Sequence, residues 1–272
     1  MKIDQSRIIL TGAGSGIGRA LLQQLAEYPA QVLAVDINPD TLPVTINNLA
    51  SPQATITAHL CDLAQPDNVD GLFEAAIKLM GGIDLFIANA GFAYYERLET
   101  PNWAHLTRIF QLNVFSTIYA AEKMRALNAN RPFKVVITAS AMAHLALPGY
   151  AIYGATKAAL HHFAAGYRFE LADPSALTLV YPIATRTNFF NFAGSNVPLP
   201  WPNQPPKIVA RAIIRGIERD RISIYPSRLF QIYLALRPFF PFLSRLIQTP
   251  AKRDFERWQP VQPGHADCAI SE

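Results

Sequence analysis

The sequence predicts an α/β fold in which helices cover both faces of a doubly wound, parallel sheet. Short segments that are apolar throughout alternate with helical segments over the first two thirds of the chain, as in sheets buried on both faces. The first apolar segment leads into a glycine-rich turn that opens a helix. Half of the 272 residues are hydrophobic and 16% are charged, so a single large domain with a sizeable core is expected.

Six strands are predicted in the first two thirds, because each is a short apolar run bounded by polar residues or glycine. In chain order they are "SRIILTG", "AQVLAVDIN", "TITAHLCDL", "GIDLFIANAG", "FKVVITAS" and "ALTLVYPIAT". Helical spacing characterises the segments between them: "IGRALLQQLAEY", "VDGLFEAAIKLM", the long "WAHLTRIFQLNVFSTIYAAEKMRAL", and a segment around Tyr153 that extends to about Leu171. Strands and helices therefore alternate as a doubly wound sheet requires.

The composition changes after the sixth strand. "NVPLPWPNQPP" is too rich in proline for a regular helix and predicts an irregular loop, followed by the helix "KIVARAIIRGIERD" and a last strand "RISIYP". We expect residues 1–228 to form the main domain, with a variable substrate loop at about 186–206. Residues 229–272 are expected to add a hydrophobic extension that ends in a flexible tail.

The glycine-rich turn predicts a dinucleotide site of the Rossmann type. Thr11–Gly18 follows the pattern T-G-x-x-x-G-x-G, with glycine at 12, 16 and 18. Glycine lets the backbone approach a ligand, and the N-terminus of the next helix offers N–H groups to a pyrophosphate. Ser15 and Ile17 lie within this turn and are expected to contact the same ligand. The alternative is a plain turn between strand and helix.

Two acidic residues follow the second and third strands. Asp36 ends strand two, where a carboxylate can bind the adenosine ribose hydroxyls and repel a 2′-phosphate. No Arg or Lys follows in "DINPD", so NAD is favoured over NADP. Ile37 is expected beside the ribose, and Asp62 and Leu63 beside the adenine. Each carboxylate has a simpler alternative, in which Asp36 caps the next turn and Asp62 caps a helix.

Several motifs occur together in an order that resembles the classical short-chain dehydrogenase/reductase family. Besides Thr11–Gly18, the triplet Asn89-Ala90-Gly91 is similar to the family's N-A-G motif, which supports the sheet behind the cofactor. Four residues match the family's catalytic tetrad: Asn113, Ser140, Tyr153 and Lys157. The resemblance covers residues 7–187, and it implies an NAD(P)-dependent alcohol dehydrogenase or ketoreductase.

The region after the sixth strand both matches and departs from the family. The resemblance implies cofactor contacts for Pro182, Thr185 and Thr187, the last at the carboxamide. Pro182 is followed by Ile183, whereas the family often has glycine there, so a side chain is expected near the nicotinamide. The family's N-N-A-G also begins with Ala88 here.

Tyr153 and Lys157 are four residues apart, so they share one face of a helix. Tyr153 is the candidate base in alcohol oxidation and the acid in ketone reduction. A free phenol has a pKa near ~10, and the Lys157 ammonium is expected to lower it. Ser140 would orient the substrate oxygen, and Asn113 would hold a water that joins Lys157 to solvent. The resemblance also implies that Lys157 binds the nicotinamide ribose.

The substrate pocket is less well defined by the sequence. His144 and Tyr150 lie between Ser140 and Tyr153, and Phe189 follows the sixth strand, so these three are expected to line the pocket, with His144 as wall rather than catalyst. Aromatic residues are frequent in "GFAYYERLE" and "NFFNFAGSNVPLPW". They favour a hydrophobic alcohol or ketone as substrate. The alternative is that these aromatics fill a core or a dimer contact.

Residues 229–247 are strongly apolar but are interrupted by Pro238, Pro241 and two arginines, which argue against a membrane-spanning helix. The segment is expected to lie on a bilayer, to cover the substrate pocket or to form a subunit contact. The resemblance implies a homodimer or homotetramer. Two cysteines and no secretory signal favour a cytoplasmic protein, with membrane association through this segment left open.

Other classes of function are weaker. A net charge of +4 without a dense basic run argues against nucleic-acid binding, and no His, Asp or Glu spacing resembles a metal site. A non-catalytic NAD-binding redox sensor or scaffold would not need the Ser140, Tyr153 and Lys157 set. A sugar-nucleotide epimerase or dehydratase usually has glycine where Ser15 stands.

Overall fold

The computed structural model describes residues 1–194 and 196–259. Within these residues the strands are β1 (Arg7–Thr11), β2 (Gln31–Asp36), β3 (Thr55–Leu60), β4 (Leu85–Ala88), β5 (Lys134–Thr138), β6 (Leu177–Val180), β7 (Ala184–Thr185), β8 (Asn203–Gln204) and β9 (Ser223–Ile224). Seven of them form one parallel sheet in the order β3-β2-β1-β4-β5-β6-β9, and β7 pairs with β8. The predicted doubly wound parallel sheet is confirmed.

The α-helices of the described residues are α1 (Gly16–Leu25), α2 (Thr41–Asn47), α3 (Pro66–Met80), α4 (Trp103–Phe110), α5 (Ser116–Leu127), α6 (Ala151–Tyr167), α7 (Phe189–Phe192), α8 (Pro206–Glu218), α9 (Arg228–Leu236) and α10 (Phe242–Arg257). Helix α2 has no counterpart in the sequence prediction. The predicted long helix is divided into α4 and α5 by a π-helical turn at Gln111–Phe115. The predicted last strand shortens to the two residues of β9.

Both faces of the sheet are buried, which explains why its central strands are apolar throughout. Successive side chains of a strand point to opposite faces. In β1, Ile8 and Leu10 pack in the core cluster that contains Leu22 of α1 and Ile213 of α8, whereas Ile9 packs in the cluster on the other face. All three are fully buried. A polar residue at any of these positions would be buried on one face or the other.

The strand order fixes where a ligand can bind. From β1 the chain winds outward through β2 to β3, and β4 then returns to pair with the opposite edge of β1. The carboxyl ends of β1 and β4 therefore border a crevice at a topological switch point, where doubly wound folds bind ligands. At this crevice β1 leads into the glycine-rich turn, and β4 leads into the N-A-G segment.

The C-terminal helices pack beside this crevice. The Tyr233 hydroxyl of α9 lies 2.8 Å from the Ser244 hydroxyl of α10, so the two helices form a hairpin. Arg237 donates to the His144 carbonyl oxygen at 2.7 Å, and Gln248 donates to the Ala146 carbonyl oxygen at 2.9 Å. The predicted flexible tail lies outside the described residues from 260 onward. No helix among the described residues is long and apolar enough to cross a membrane.

Candidate active site

A cavity of about 900 Å³ occupies the crevice at the carboxyl ends of the strands. One end is bordered by the glycine-rich turn and Asp36, and another part of its wall is formed by Tyr153 and Lys157 of α6. Residues of α9 and α10 also line it. The structure thus brings most of the sequence-predicted site residues around a single large space.

The glycine-rich turn has the geometry of a cradle for a bulky ligand. Gly12 and Gly16 adopt φ angles of +67° and +53°, a region that L side chains rarely occupy. A Cβ atom on Gly18 would lie 1.7 Å from the Gly12 carbonyl oxygen, so glycine is required for the helix to pack on the turn. The Ser15 side chain makes no capping hydrogen bond to α1, which leaves the first N–H groups of that helix to a ligand. Gly12, Ser15, Gly16 and Ile17 line the cavity, and Gly18 lies behind them.

Asp36 is held at the end of β2 by two backbone donors. One carboxylate oxygen accepts from the Gly14 N–H at 2.8 Å, and the other from the Asn38 N–H at 3.0 Å. A Cβ atom on Gly14 would lie 3.0 Å from this carboxylate and 2.6 Å from the Thr41 hydroxyl. Gly14 is therefore a site residue that the spacing argument missed, since its importance comes from a tertiary contact. Asp36 itself lines the cavity.

Asp62 does not cap a helix, the simpler alternative that the sequence left open, because the N-cap residue of α3 is Gln65. Asp62 lines the cavity, and one of its oxygens also accepts from the Ala64 N–H at 3.0 Å and stabilises the turn before α3. The other oxygen lies 3.9 Å from the Arg108 guanidinium, a half-exposed pair. Ile37 and Leu63 line the same part of the wall, Ile37 exposed and Leu63 buried.

The N-A-G segment ties the ends of three strands together. The Asn89 amide donates to the Thr11 carbonyl oxygen at 3.1 Å and accepts from the Thr138 hydroxyl at 3.3 Å. The Thr11 hydroxyl accepts from the backbone N–H groups of Asn89 and Ala90, each at 3.0 Å. These bonds fix the carboxyl ends of β1, β4 and β5 behind the cavity, which Asn89, Ala90 and Gly91 line.

Asn113 lies in the π-helical turn between α4 and α5 and is 1% exposed. Its amide oxygen accepts from the Phe92 N–H at 3.1 Å, and its amide nitrogen donates to the Phe92 carbonyl oxygen at 2.9 Å. A Cβ atom on Gly91 would lie 2.9 Å from the Asn113 amide oxygen and 3.7 Å from the Lys157 ammonium. Asn113 is not among the cavity-lining residues, but it supports the loop beside Lys157. Short π-helical insertions are frequent at functional sites.

Tyr153 lies on the first turn of α6 and is almost completely buried. The Ser140 hydroxyl accepts from the Met142 N–H at 3.1 Å. Burial raises the pKa of Tyr153 to about 12, and the Ser140 hydroxyl opposes this increase by a smaller amount. This direction is opposite to the one expected from the sequence, because the loss of hydration on burial is the largest cause. Tyr153 and Ser140 both line the cavity, so the phenol faces a space where a substrate oxygen can lie.

Lys157 follows one turn later on the same face of α6. Its ammonium lies 5.5 Å from the centre of the Tyr153 ring and donates to the Thr138 carbonyl oxygen at 3.0 Å. Burial lowers the pKa of Lys157 to about 8. The side chain is therefore a buried cation beside the phenol, fixed by the end of β5.

The segment after β6 closes another side of the cavity. The residues of this segment that line the cavity are Pro182, Ile183, Thr185 and Thr187. Ile183 therefore brings a side chain to the cavity wall at the position where the family often has glycine. The Thr187 side chain also lies against Gly16, since a Cβ atom added to Gly16 would lie 3.1 Å from the Thr187 Cβ. Phe189 packs its edge on the Tyr153 ring at 5.5 Å between ring centres and lines the cavity.

His144 and Tyr150 lie away from the cavity wall of the described residues. His144 packs between His161 and Tyr181, at 4.6 and 4.8 Å between ring centres, and burial lowers its pKa to about 4. Tyr150 is 2% exposed and packs on Tyr95 at 4.8 Å. Each contacts an aromatic residue that does line the cavity: the His144 ring lies 6.2 Å from the Phe230 ring, and the Tyr150 ring lies 6.3 Å from the Tyr153 ring.

The C-terminal hairpin supplies wall residues that the sequence did not assign. They share an apolar character and are Leu229, Phe230, Ile232, Tyr233, Leu236, Leu243, Leu246 and Ile247. Of the three placements left open for residues 229–247, the pocket cover is thus the one visible in the structure. Pro200, Trp201 and Pro202 from the proline-rich loop complete this side. The sequence showed an apolar face at helical spacing in this segment. Spacing alone does not reveal whether such a face packs on a cavity, a membrane or another subunit.

A family model described as short chain dehydrogenase matches residues 6–196. The chain belongs to the short chain dehydrogenase family. It is similar to 1-deoxy-11-beta-hydroxypentalenate dehydrogenase of Streptomyces avermitilis, with 34% identity over 163 residues, or 58% of this chain and 60% of that protein. The predicted family resemblance is confirmed by the family match.

Solved structures share the fold of this short chain dehydrogenase. A short chain dehydrogenase/reductase from Burkholderia phymatum in complex with NAD has a TM-score of 0.78 and 21% identity, covering 89% of this chain and 96% of the other. A short-chain dehydrogenase from Sphingobium yanoikuyae in complex with NADPH has a TM-score of 0.74 and 24% identity, covering 94% and 98%. At these identities the likeness establishes the Rossmann-type fold and leaves the cofactor preference to be argued from residues.

Proposed function

We propose that this short chain dehydrogenase transfers a hydride between NAD(H) and the C–OH or C=O group of a hydrophobic alcohol or ketone. One observation carries the proposal: Ser140, Tyr153 and Lys157 line the same cavity as the glycine-rich turn and Asp36. A dinucleotide that extends from the turn along this cavity would bring its reactive ring beside the phenol.

The residues present fit a nicotinamide dinucleotide. The glycine cradle and the uncapped N-terminus of α1 suit a pyrophosphate, and Asp36 offers acceptors to ribose hydroxyls. When bound, the dinucleotide supplies the hydride chemistry. NAD is proposed over NADP because a 2′-phosphate near the Asp36 carboxylate would be repelled, and because its neighbour Ile37 has no charge.

Tyr153 is proposed as the acid in ketone reduction and the base in alcohol oxidation. Its raised pKa keeps the phenol protonated at neutral pH, so it is ready to donate a proton to a developing alkoxide. In oxidation Tyr153 acts as the phenolate, whose charge the Lys157 ammonium stabilises. The phenolate oxygen takes the proton of the substrate hydroxyl and becomes the neutral phenol again. Ser140 orients the substrate oxygen through its hydroxyl, since it lines the same cavity as Tyr153.

The substrate is proposed to be a hydrophobic small molecule, because the wall beyond the cofactor region is apolar. The segment after β6 and helices α9 and α10 all present apolar or aromatic side chains to the cavity. These side chains include Ile183, Phe189, Tyr233, Leu243 and Ile247. Such pockets bind ligands by burying apolar area and use few polar groups for orientation. A cavity of about 900 Å³ has room for a nicotinamide together with a compact apolar substrate.

Exposed side chains support a proposal on assembly, and a free thiol supports one on location. Trp103 of α4 and Phe115 at the end of the π-helical turn are 81% and 58% exposed, so we propose that a second copy covers these side chains in a homodimer or homotetramer. Light scattering of a Phe115→Ser variant checks this. The free thiol of Cys61 fits a reducing compartment such as the cytoplasm.

The experiment that tests the function combines the protein with NAD or NADP and a panel of hydrophobic alcohols, and follows the absorbance of reduced nicotinamide. We expect reduction of NAD with apolar secondary alcohols and slower reduction of NADP. Tight NAD binding without turnover of any alcohol in the panel would instead support the redox sensor. Absence of dinucleotide binding would contradict both.

A further inference from the structure

The mouth of the cavity is surrounded by exposed apolar side chains. On the side of the proline-rich loop and the hairpin, five apolar residues line the cavity and are also exposed. We call them the apolar rim: Trp201 (81%), Leu229 (55%), Ile232 (56%), Leu236 (41%) and Leu246 (64%). In α9 the three rim residues follow the i, i+3, i+7 spacing of a single helix face. A folded chain seldom leaves so many large apolar groups together in water without a partner for them.

The exposed apolar surface continues onto the connection between α9 and α10. Phe239, Phe240 and Phe242 are 77%, 46% and 55% exposed, and none of them lines the cavity. We call these three the aromatic tip. Because Tyr233 and Ser244 join the two helices, the tip and the four rim residues of α9 and α10 belong to one hairpin. The apolar area is therefore continuous from the cavity mouth to the end of the hairpin.

The net charge of the hairpin favours an anionic surface over a second copy of the chain as the partner that covers this apolar area. Residues 228–257 contain six Arg and Lys side chains but only two Asp and Glu side chains, so their net charge of +4 equals that of the whole chain. A second copy related by a twofold axis would bring two such basic hairpins together, and like charges oppose that contact. An anionic surface complements the hairpin instead.

We propose that the aromatic tip and the apolar rim dock this protein on an anionic lipid bilayer, with the cavity mouth facing the acyl chains. Apolar side chains flanked by arginines are the composition of elements that lie in the headgroup region. Arg245 is one turn from Phe242, and Arg253 extends the same face of α10, so both guanidinium groups can reach lipid phosphates. The hairpin lies on the membrane and does not cross it.

The position of the rim has a consequence for the substrate, and this step rests on the proposed function. A hydrophobic alcohol dissolved in the bilayer would pass directly from the acyl chains into the cavity, without crossing water. The apolar wall formed by Tyr233, Leu243 and Ile247 continues from the rim toward Tyr153 in the same cavity. Docking therefore matters for bilayer-dissolved substrates and not for water-soluble ones.

Vesicle flotation of the full-length protein tests the docking. We expect flotation with vesicles of phosphatidylcholine and phosphatidylserine, and about tenfold weaker binding to phosphatidylcholine alone. The double variant Phe239→Ser/Phe242→Ser should bind at least about tenfold more weakly. A matched control, Val44→Ser/Leu79→Ser, removes exposed apolar groups of α2 and α3 and should float like the wild type. Equal flotation of both double variants contradicts the proposal.

The contribution of charge is tested with Arg245→Gln/Arg253→Gln, which should lose binding to anionic vesicles and leave the phosphatidylcholine background unchanged. Light scattering without lipid separates the remaining alternative. A fall in molecular mass of Phe239→Ser/Phe242→Ser, with no vesicle binding by the wild type, would assign the tip to a contact between copies and overturn the proposal.

Activity gives a second readout that distinguishes failure of docking from failure of the proposed function. Since the aromatic tip does not line the cavity, Phe239→Ser/Phe242→Ser should oxidise a short water-soluble alcohol at the wild-type rate and lose about tenfold or more toward an alcohol held in vesicles. Equal loss toward both alcohols would contradict the entry route. If no alcohol is a substrate for the wild type, the flotation results still decide the docking.

Discussion

The Lys157 ammonium donates a hydrogen bond of 3.0 Å to the Thr138 carbonyl oxygen, which links helix α6 to the end of strand β5. The lysine is 5% exposed and faces the cavity beside Tyr153. A cation in this position costs stability unless charge develops next to it. A buried ammonium beside Tyr153 would stabilise a phenolate that forms during the reaction. Its cost in folding stability can be measured.

The first prediction concerns the stability of Lys157→Met. Burial lowers the pKa of Lys157 from 10.5 in the unfolded chain to about 8. Below pH 8 both states are protonated and the folded state carries the full cost. Between pH 8 and 10.5 the unfolded chain binds more protons, so the stability of the wild type rises by about 3 kcal/mol relative to the variant. Urea unfolding at pH 7 and pH 10 measures the difference.

Lys78→Met is the matched control, because this lysine is exposed at the end of α3. Its free energy of unfolding should follow the wild-type pH dependence. Titration of Tyr153 affects the comparison only above pH 10, where its raised pKa makes the folded state retain a proton that the unfolded chain loses. A constant difference between wild type and Lys157→Met from pH 7 to 10 would refute a buried ammonium.

The second prediction is that Tyr153→Phe lowers kcat by about 10² to 10⁴, the usual contribution of a positioned acid or base. The ring and its contact with Phe189 are kept, so binding of NAD should persist. Steady-state turnover and titration of intrinsic fluorescence with NAD measure the two properties. Phe189→Tyr, which leaves Tyr153 in place, is the control, and full activity of Tyr153→Phe would remove the phenol from the mechanism.

Sequence alone predicted the parts of the fold that local pattern determines. Continuous apolar strands require burial on both faces, and Ile8, Ile9 and Leu10 are buried in two different clusters. Gly12, Gly16 and Gly18 could be assigned because positive φ and close helix packing leave a spacing signature. The resemblance to the family's tetrad assigned Ser140 and Tyr153 to one site, and both line the same cavity.

The parts that were not predicted depend on contacts between distant segments. The π-helical turn at Asn113 forms where its amide bonds to the backbone of Phe92, and no periodicity shows that bond. His144 stands between Ser140 and Tyr153 in sequence, yet its ring packs on Tyr181. The direction of the Tyr153 pKa depends on burial by the surrounding chain, which the Tyr-x-x-x-Lys spacing does not contain.

The third prediction concerns cofactor preference. Asp36→Ala should raise the KM for NAD by about tenfold to a hundredfold, because charged hydrogen bonds contribute roughly 1.5–3 kcal/mol. The KM for NADP should change less, since repulsion of the 2′-phosphate is removed together with the acceptors. The ratio of kcat/KM for NAD and NADP measures the effect. Thermal unfolding of the variant reports separately on the loss of the Gly14 and Asn38 hydrogen bonds.

Asp62→Ala is the control for cofactor preference. This carboxylate also lines the cavity, but it lies after β3, where it would meet the adenine that NAD and NADP share. Both cofactors should therefore weaken by the same factor, and the ratio should stay at the wild-type value. A changed ratio in Asp62→Ala with an unchanged ratio in Asp36→Ala would reverse the assignment of the two carboxylates.

The fourth prediction is that Gly91→Ala damages turnover more than NAD binding. The added Cβ would lie 2.9 Å from the Asn113 amide oxygen and 3.7 Å from the Lys157 ammonium, so the amide must move from its bonds to Phe92. We expect kcat to fall about tenfold or more, since small displacements of positioning groups are costly. Gly71→Ala is the matched control: its Cβ meets nothing within 4 Å on α3, and it should add about 0.5–1 kcal/mol of stability at wild-type kcat. Equal kcat for the two variants would show that Asn113 and Lys157 tolerate the displacement and have no role in positioning the proton.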